Sequence, residues 1–327
     1  MKILVLGLGV IGTTYGYLFS KQGHKVEHYI RPSSTNKAIE HLSVGLLDGR
    51  RNKKGDEIDD QYRIIHATEG SHYDLIIVSI SSLKLADVIE TINKMRFEGT
   101  LLLFCGIWEK RAYIDQIMNG HKYILGYPVA GGRIDRDKKR LECVVFDHVM
   151  LEKEANSHIS NYTNIEHLFR GIGIQTECPC DMLSWIWLHL AINAGVISTI
   201  SSIMGTTNTD PKRAVTKFMD SPTNLKHAIK AIRECIRIAQ AGGIKLSDYR
   251  NETLPYRLPT WLSAWMMKRM FTTNRLTRRI MQLHTNLPDL VYICNKVYKE
   301  GKKHNVSAPL FYTAFEKFNK QINNTVH

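Results

Sequence analysis

A chain that must pass from a buried strand through three glycines spaced G-x-G-x-x-G into a helix has few folds open to it. The first twelve residues, Met1-Lys2-Ile3-Leu4-Val5-Leu6-Gly7-Leu8-Gly9-Val10-Ile11-Gly12, have this form. Thr13 to Gln22 continue with helical periodicity, and a second strand follows at Lys25 to Ile30, the spacing of one β-α-β unit. Each glycine has a physical task in a dinucleotide site. Gly7 allows the tight turn, Gly9 lets the backbone approach a pyrophosphate, and Gly12 lets helix and strand pack closely. The phosphates would rest on unpaired N–H groups at the positive end of the helix. Gly7, Leu8, Gly9, Val10, Ile11 and Gly12 are therefore the first cofactor-binding candidates.

The end of the second strand selects among dinucleotides. NAD sites place an acidic residue there for the ribose 2′-hydroxyl. This chain has Arg31, followed by Pro32, Ser33, Ser34, Thr35 and Lys37, which offer cationic and hydroxyl donors suited to a 2′-phosphate. Glu27 lies too early in the strand to supply the missing carboxylate. The expected cofactor is NADP(H).

With 327 residues, 43% of them hydrophobic, the chain can bury two domain cores. Lys and Arg number 44 against 31 Asp and Glu, a formal net charge of +13. Such a surface draws anions, and a small acidic ligand is the expected one. The basic residues are scattered, with none of the zinc-finger, RNP-like or aromatic-interleaved patterns of nucleic-acid binders. Six cysteines, with Cys178-Pro179-Cys180 matching no common metal spacing, read as reduced thiols in a cytoplasmic protein without a signal peptide. Met182 to Thr209 lacks charged residues, but its Ser, Thr, Asn and His content argues for a buried central helix rather than an integral membrane segment.

The fold class expected is α/β: an N-terminal Rossmann, doubly wound parallel sheet followed by an all-helical domain. Strand-like segments at Tyr62 to His66, Tyr73 to Ile80, Leu101 to Phe104 and Lys122 to Leu125 alternate with helical ones. Arg140 to Met150 and Gly173 to Glu177 read as later strands at one sheet edge, with Arg133 to Lys139 a polar turn. Pro179 and a capping Asp181 punctuate the chain, giving an NADP-binding domain at 1–177 and a helical substrate and dimerisation domain at 181–327.

Trp185, His189 and Asn193 recur every four residues and share a helix face. Two readings stay open on the residues alone: a satisfied buried pair of polar groups, or a site. The apolar set Trp261, Trp265, Met266, Met267, Met270 and Phe271 is read first as core packing, with the lining of a cleft for a larger substrate as the alternative and peripheral membrane contact as a less favoured one.

Taken together, the opening fingerprint, Lys21-Gln22-Gly23-His24-Lys25-Val26, Arg31 and Leu190-Ala191-Ile192-Asn193 resemble the ketopantoate reductases, two-domain NADPH-dependent enzymes, over nearly the whole chain. The resemblance implies an active-site role for Asn193, substrate-holding roles for Asn274 and Thr277, and an active-site carboxylate at Asp289. Asn305-Val306-Ser307-Ala308-Pro309 is similar to the family's closing segment. The sequence also departs from that pattern. His189 stands where the family has its catalytic lysine, Ile197 replaces a second asparagine, and Ser81 and Cys105 occupy cofactor-side positions usually held by lysine and asparagine. The implied activity is reduction of a 2-oxo acid or related carbonyl, with His189 in its protonated form as the acid. Alternatives from the same residues are an NADP-binding sensor without turnover and a reductase of a larger apolar ketone or imine. A homodimer is compatible with the sequence.

Overall fold

The computed structural model describes residues 1–80, 84–204, 211–283 and 287–325. It divides into two compact units, Met1–Leu183 and Ser184–His327. The first contains β1 (Lys2–Leu6), α1 (Val10–Lys21), β2 (Lys25–Tyr29), β3 (His41–Asp48), β4 (Asp56–Arg63), β5 (His72–Val78), α2 (Leu85–Lys94), β6 (Glu98–Leu103), α3 (Arg111–Met118), β7 (Tyr123–Tyr127), β8 (Ala130–Asp135), β9 (Arg140–Val145), β10 (His148–Leu151), α4 (Glu154–Ser157), α5 (Tyr162–Gly171) and β11 (Gln175–Glu177). Helix α6 (Met182–Met204) begins at the end of this unit. The second unit continues with α7 (Pro211–Asp220), α8 (Pro222–Ala241), α9 (Arg250–Arg257), α10 (Thr260–Thr273), α11 (Arg275–Leu283), α12 (Leu287–Lys303) and α13 (Pro309–Thr325).

The larger sheet has the order β11-β10-β7-β6-β5-β1-β2. Its strands from β7 to β2 run parallel, while β10 is antiparallel to β7. β1 lies between β2 and β5, and Ile3, Leu4 and Val5 are all fully buried, as expected of a parallel strand covered on both faces. The strand order reverses at β1 and β5. In doubly wound sheets ligands bind in the crevice outside the carboxyl ends of the strands at such a switch point.

A second sheet, β4-β3-β9-β8, corrects the sequence reading. Arg133 to Asp135 belong to β8 rather than to a turn, and β9 pairs with β3 and β8 instead of extending an edge of the parallel sheet. Ala130, Gly131 and Gly132 hid β8 because they carry no apolar alternation. The reason for this sheet is α1, which packs on β1 and β2 on one side and on β8 and β9 on the other. Everything on α1 from Gly12 to Phe19 is consequently buried, with Tyr15 set against Phe104 and edge-on to Phe169.

Helix α6 is long and apolar enough to cross a membrane, with a mean hydropathy of 1.5, but 61% of that window is buried inside the protein. Its hydroxyls have local partners: Ser198 and Thr199 donate to the Gly195 carbonyl, Ser201 to Ile197 and Ser202 to Thr199. Gly195 permits close packing on α8, since a Cβ there would lie 2.6 Å from the Ile232 backbone nitrogen.

Candidate cofactor and substrate sites

The carboxyl end of β1 delivers Gly7 with φ +85°, a left-handed conformation that glycine adopts without strain. Gly9 is the N-cap of α1, no side chain caps that helix, and its first turn contains no acidic residue. The first N–H groups of a helix lack intrahelical acceptors, so this end offers donors and a positive dipole to an anion. A Cβ at Gly12 would lie 2.6 Å from Val5 Cγ1 and 2.7 Å from Ser79 Oγ, which is why helix and sheet can meet here only through glycine. Ser79, at the carboxyl end of β5, keeps a buried hydroxyl oxygen beside the turn with no hydrogen-bond partner among the described residues. These features fit a dinucleotide pyrophosphate.

Other cofactor-side candidates are placed less uniformly. Arg31 is exposed two residues beyond β2, and its carbonyl accepts the Ser34 N–H in a turn that opens a 3-10 segment at Thr35–Ala38. Glu27 is buried and committed elsewhere, accepting the Tyr73 hydroxyl at 2.8 Å and pairing with Lys25 and Lys2. Burial pushes its pKa up, but the bonds from Tyr73 and Lys25 and the two lysine charges outweigh this and hold it below the usual value. The Cys105 thiol is buried and donates to the Val78 carbonyl at 3.3 Å, which leaves the backbone beyond β6 as its contribution to any cofactor contact. Ser81 lies outside the described residues.

One contributor had no motif to signal it. His28, fully buried on β2, places Nδ1 3.0 Å from the Gly7 carbonyl and Nε2 2.8 Å from the Tyr62 hydroxyl of β4. A carbonyl only accepts, so Nδ1 carries the proton and Nε2 accepts from Tyr62. Burial, together with nearby His66, overcomes the Gly7 bond and pushes the pKa down to about 4. The neutral imidazole thus ties the first glycine of the turn to the second sheet. The available signal was its alternation with Val26, which places a histidine on the inward face of β2.

In the second unit, His189 and Asn193 sit one turn apart on α6, both half-buried. His189 stacks on Trp185 with centroids 4.9 Å apart and planes at 14°. Burial pushes its pKa down to about 4, a direction that works against the expected protonated imidazole at neutral pH. Helix α12 packs on α6 beside Asn193, where the Cys294 thiol lies 3.9 Å from the Ala194 carbonyl. Asp289 is half-buried in the first turn of α12, a position the helix dipole favours for a carboxylate. Asn274 ends α10 and its amide oxygen accepts the Thr277 N–H at 3.0 Å, so these two candidates are joined as the cap of α11. Of the aromatic and methionine set, Met267 and Phe271 are core, whereas Trp261, Trp265, Met266 and Met270 are exposed.

Comparison with curated proteins gives no match. Among solved structures, a ternary D-mandelate dehydrogenase complex with NADH and anilino(oxo)acetate superposes with a TM-score of 0.68 at 15% identity, covering 99% of each chain. The 2-dehydropantoate 2-reductase of Geobacter metallireducens gives 0.65 at 15% identity over 98% of this chain and 100% of its own. NADP+-bound yersinopine dehydrogenase gives 0.65 at 10% identity over 99% and 91%. At these identities the likeness speaks for the fold. The family assignment rests on two sequence models, "Ketopantoate reductase PanE/ApbA" over residues 3–122 and its C-terminal counterpart over residues 181–321. With most of the chain matched by both halves of one family, the protein belongs to the ketopantoate reductases, a family of NAD(P)-dependent oxidoreductases that act on keto and hydroxyl groups.

Proposed function

We propose that the chain is an NADPH-dependent reductase that converts a small 2-oxo acid or related carbonyl to the alcohol, similar in reaction to 2-dehydropantoate 2-reductase. The observation that carries this reading is the pairing of His189 and Asn193 one turn apart on α6, in a family member whose β1 ends in a dinucleotide turn. When bound, NADPH supplies the hydride to the carbonyl carbon. Neutral His189 donates an N–H to the oxygen on which charge develops, as an uncharged imidazole does when its pKa is held low. Asn193 orients that oxygen, and solvent supplies the proton that completes the alcohol by way of the imidazole. Asn274 and Thr277 hold the far end of the substrate, Asn274 through its amide nitrogen because its oxygen is engaged in the cap. Asp289 accepts from a substrate hydroxyl. The net charge of +13 draws an acidic substrate, and the six free cysteines suit a reducing cytoplasm.

The test is the rate of NADPH oxidation with ketopantoate and a series of bulkier 2-oxo acids. Turnover with at least one of them is expected, with kcat falling by about a hundredfold in His189→Ala while NADPH affinity is unchanged. Near-normal kcat in that variant removes the assignment. A second reading, a dinucleotide sensor, draws on the uncharged His189 where the family lysine would bring a cation; tight NADPH binding without turnover across the series establishes it instead.

NADP preference rests on Arg31. Arg31→Ala is expected to raise the Kd for NADPH about tenfold to a hundredfold, the worth of charge-assisted bonds to a 2′-phosphate, and to leave NADH binding nearly unchanged. Equal losses for both cofactors would show that Arg31 does not read the 2′ position.

A further inference from the structure

Helix α10 presents two chemically different faces. Ser263, Ala264, Met267 and Phe271 turn inward, and the helix packs on α8. Opposite them Trp261, Trp265, Met266 and Met270 are 64%, 54%, 38% and 40% exposed, and Leu254 on neighbouring α9 is 57% exposed. Trp261 and Trp265 are one turn apart, as are Met266 and Met270, and the two pairs flank Arg269 on the exposed side of the helix. That surface is held in place: Arg233 of α8 donates to the Tyr256 carbonyl at 2.6 Å, to Thr260 Oγ1 at 2.9 Å and to the Leu258 carbonyl, fixing the start of α10.

Its surroundings are basic. Residues 250–283 contain seven Arg and Lys against a single acidic residue, Glu252. Arg269 lies over the Trp265 ring, 5.6 Å from its centroid, and Arg257 and Arg275 are exposed. Helix α7, which packs on α10 and α11, adds exposed Lys212 and Lys217. Its own carboxylate, Asp220, is taken by Arg278 of α11.

We propose that α10 is an interfacial helix that docks this protein on an anionic lipid bilayer. Tryptophan favours the boundary between headgroups and acyl chains, and an apolar helix face rimmed by arginine and lysine combines burial with attraction to anionic headgroups. A second copy is the poorer occupant, because a two-fold contact would set this cationic rim against itself. With 14 residues, α10 is too short to span a bilayer and suits a position in its surface.

Co-sedimentation of the full chain with vesicles tests the proposal, comparing phosphatidylcholine alone with phosphatidylcholine containing about one third phosphatidylglycerol. The bound fraction should be at least about tenfold higher on the anionic vesicles and should fall as salt is raised. It should drop by about tenfold in Trp261→Ser/Trp265→Ser, and also in Lys268→Gln/Arg269→Gln, which keeps the test open should the first variant not fold. Circular dichroism melts matching the parent show that a variant is folded. Equal or absent sedimentation on both vesicle types overturns the proposal, as does undiminished binding by both folded variants. A dimer in light scattering that the tryptophan variant dissociates, without vesicle binding by the parent, overturns it in favour of a second copy.

Discussion

Replacing Arg111 with alanine should destabilise the first unit by about 3 kcal/mol at neutral pH. The cause is the carboxylate left behind. Glu152 follows β10 and is fully buried; Arg111, the first residue of α3, pairs with it, and the Leu125 N–H of β7 donates to Glu152 Oε2 at 3.2 Å. The carboxylate therefore joins a helix to two strands. Burial raises the Glu152 pKa, and the Arg111 bonds and charge counter that rise. Without the guanidinium the carboxylate stays buried with one backbone donor. The expected loss sits at the lower end of the range for broken buried pairs because the Arg111 side chain is 34% exposed, so water can reach part of the vacated site. The pH dependence has a definite sign. A carboxyl with a raised folded-state pKa is penalised when ionised, so the deficit of the variant relative to the parent should be greatest at pH 7 and shrink as Glu152 takes up a proton toward pH 5. Urea unfolding of the two proteins at both pH values measures this. Adding Glu152→Gln should recover about half of the deficit, since a buried amide is less costly than a buried unpaired charge. A deficit independent of pH and unrelieved by the second substitution would mean that Arg111 acts through packing against Tyr123 instead, whose ring lies 5.8 Å from its guanidinium carbon.

What the sequence made legible follows the strength of local constraints. The β1 turn could be read because each glycine has a steric reason, and the structure supplies those reasons at Gly7 and Gly12. The second sheet was hidden for an equally physical reason. Leu42, Val44 and Leu46 alternate inward on β3, but β4, Asp56–Arg63, is an edge strand rich in acidic residues whose inward register holds Ile58, Asp60 and Tyr62, so that a carboxylate accepting the Tyr17 hydroxyl interrupts the apolar alternation. Such a segment has the composition of a loop, and only its pairing with β3 makes it a strand. Helix α1 shows the reverse: buried by two sheets, it lacks a polar face that periodicity could have used to orient it. On α6 the spacing of His189 and Asn193 was plain, whereas the charge state of His189 was not, because the dielectric around an imidazole depends on packing that no local pattern encodes.

The same dependence on packing gives His28 an effect of comparable size. With a pKa near 4 when folded and near 6.5 when unfolded, His28 favours the unfolded state as pH falls, because the unfolded chain takes up a proton that the native site refuses. Stability is thus complete above about pH 6.5 and is lost as pH drops toward 4. Between pH 7 and 5 this histidine alone should cost about 2 kcal/mol. His24, whose pKa burial and the amino-terminal charge also lower, and His189 add in the same direction, so the parent protein reports a sum. His28→Gln isolates the contribution: it does not titrate, yet its amide can still donate toward the Gly7 carbonyl and accept from Tyr62. The urea midpoint of this variant should fall less between pH 7 and 5 than that of the parent, even if it begins lower. Because the imidazole holds the Gly7 carbonyl, Tyr62→Phe provides a second reading of the same bridge. Removing only the hydroxyl that donates to Nε2 leaves His28 free to swing from the turn, so NADPH affinity should fall by severalfold, with a smaller effect on stability at pH 7. Parallel acid curves for the parent and His28→Gln, together with unchanged NADPH affinity in Tyr62→Phe, would separate the second sheet from the dinucleotide turn and reduce its role to covering α1.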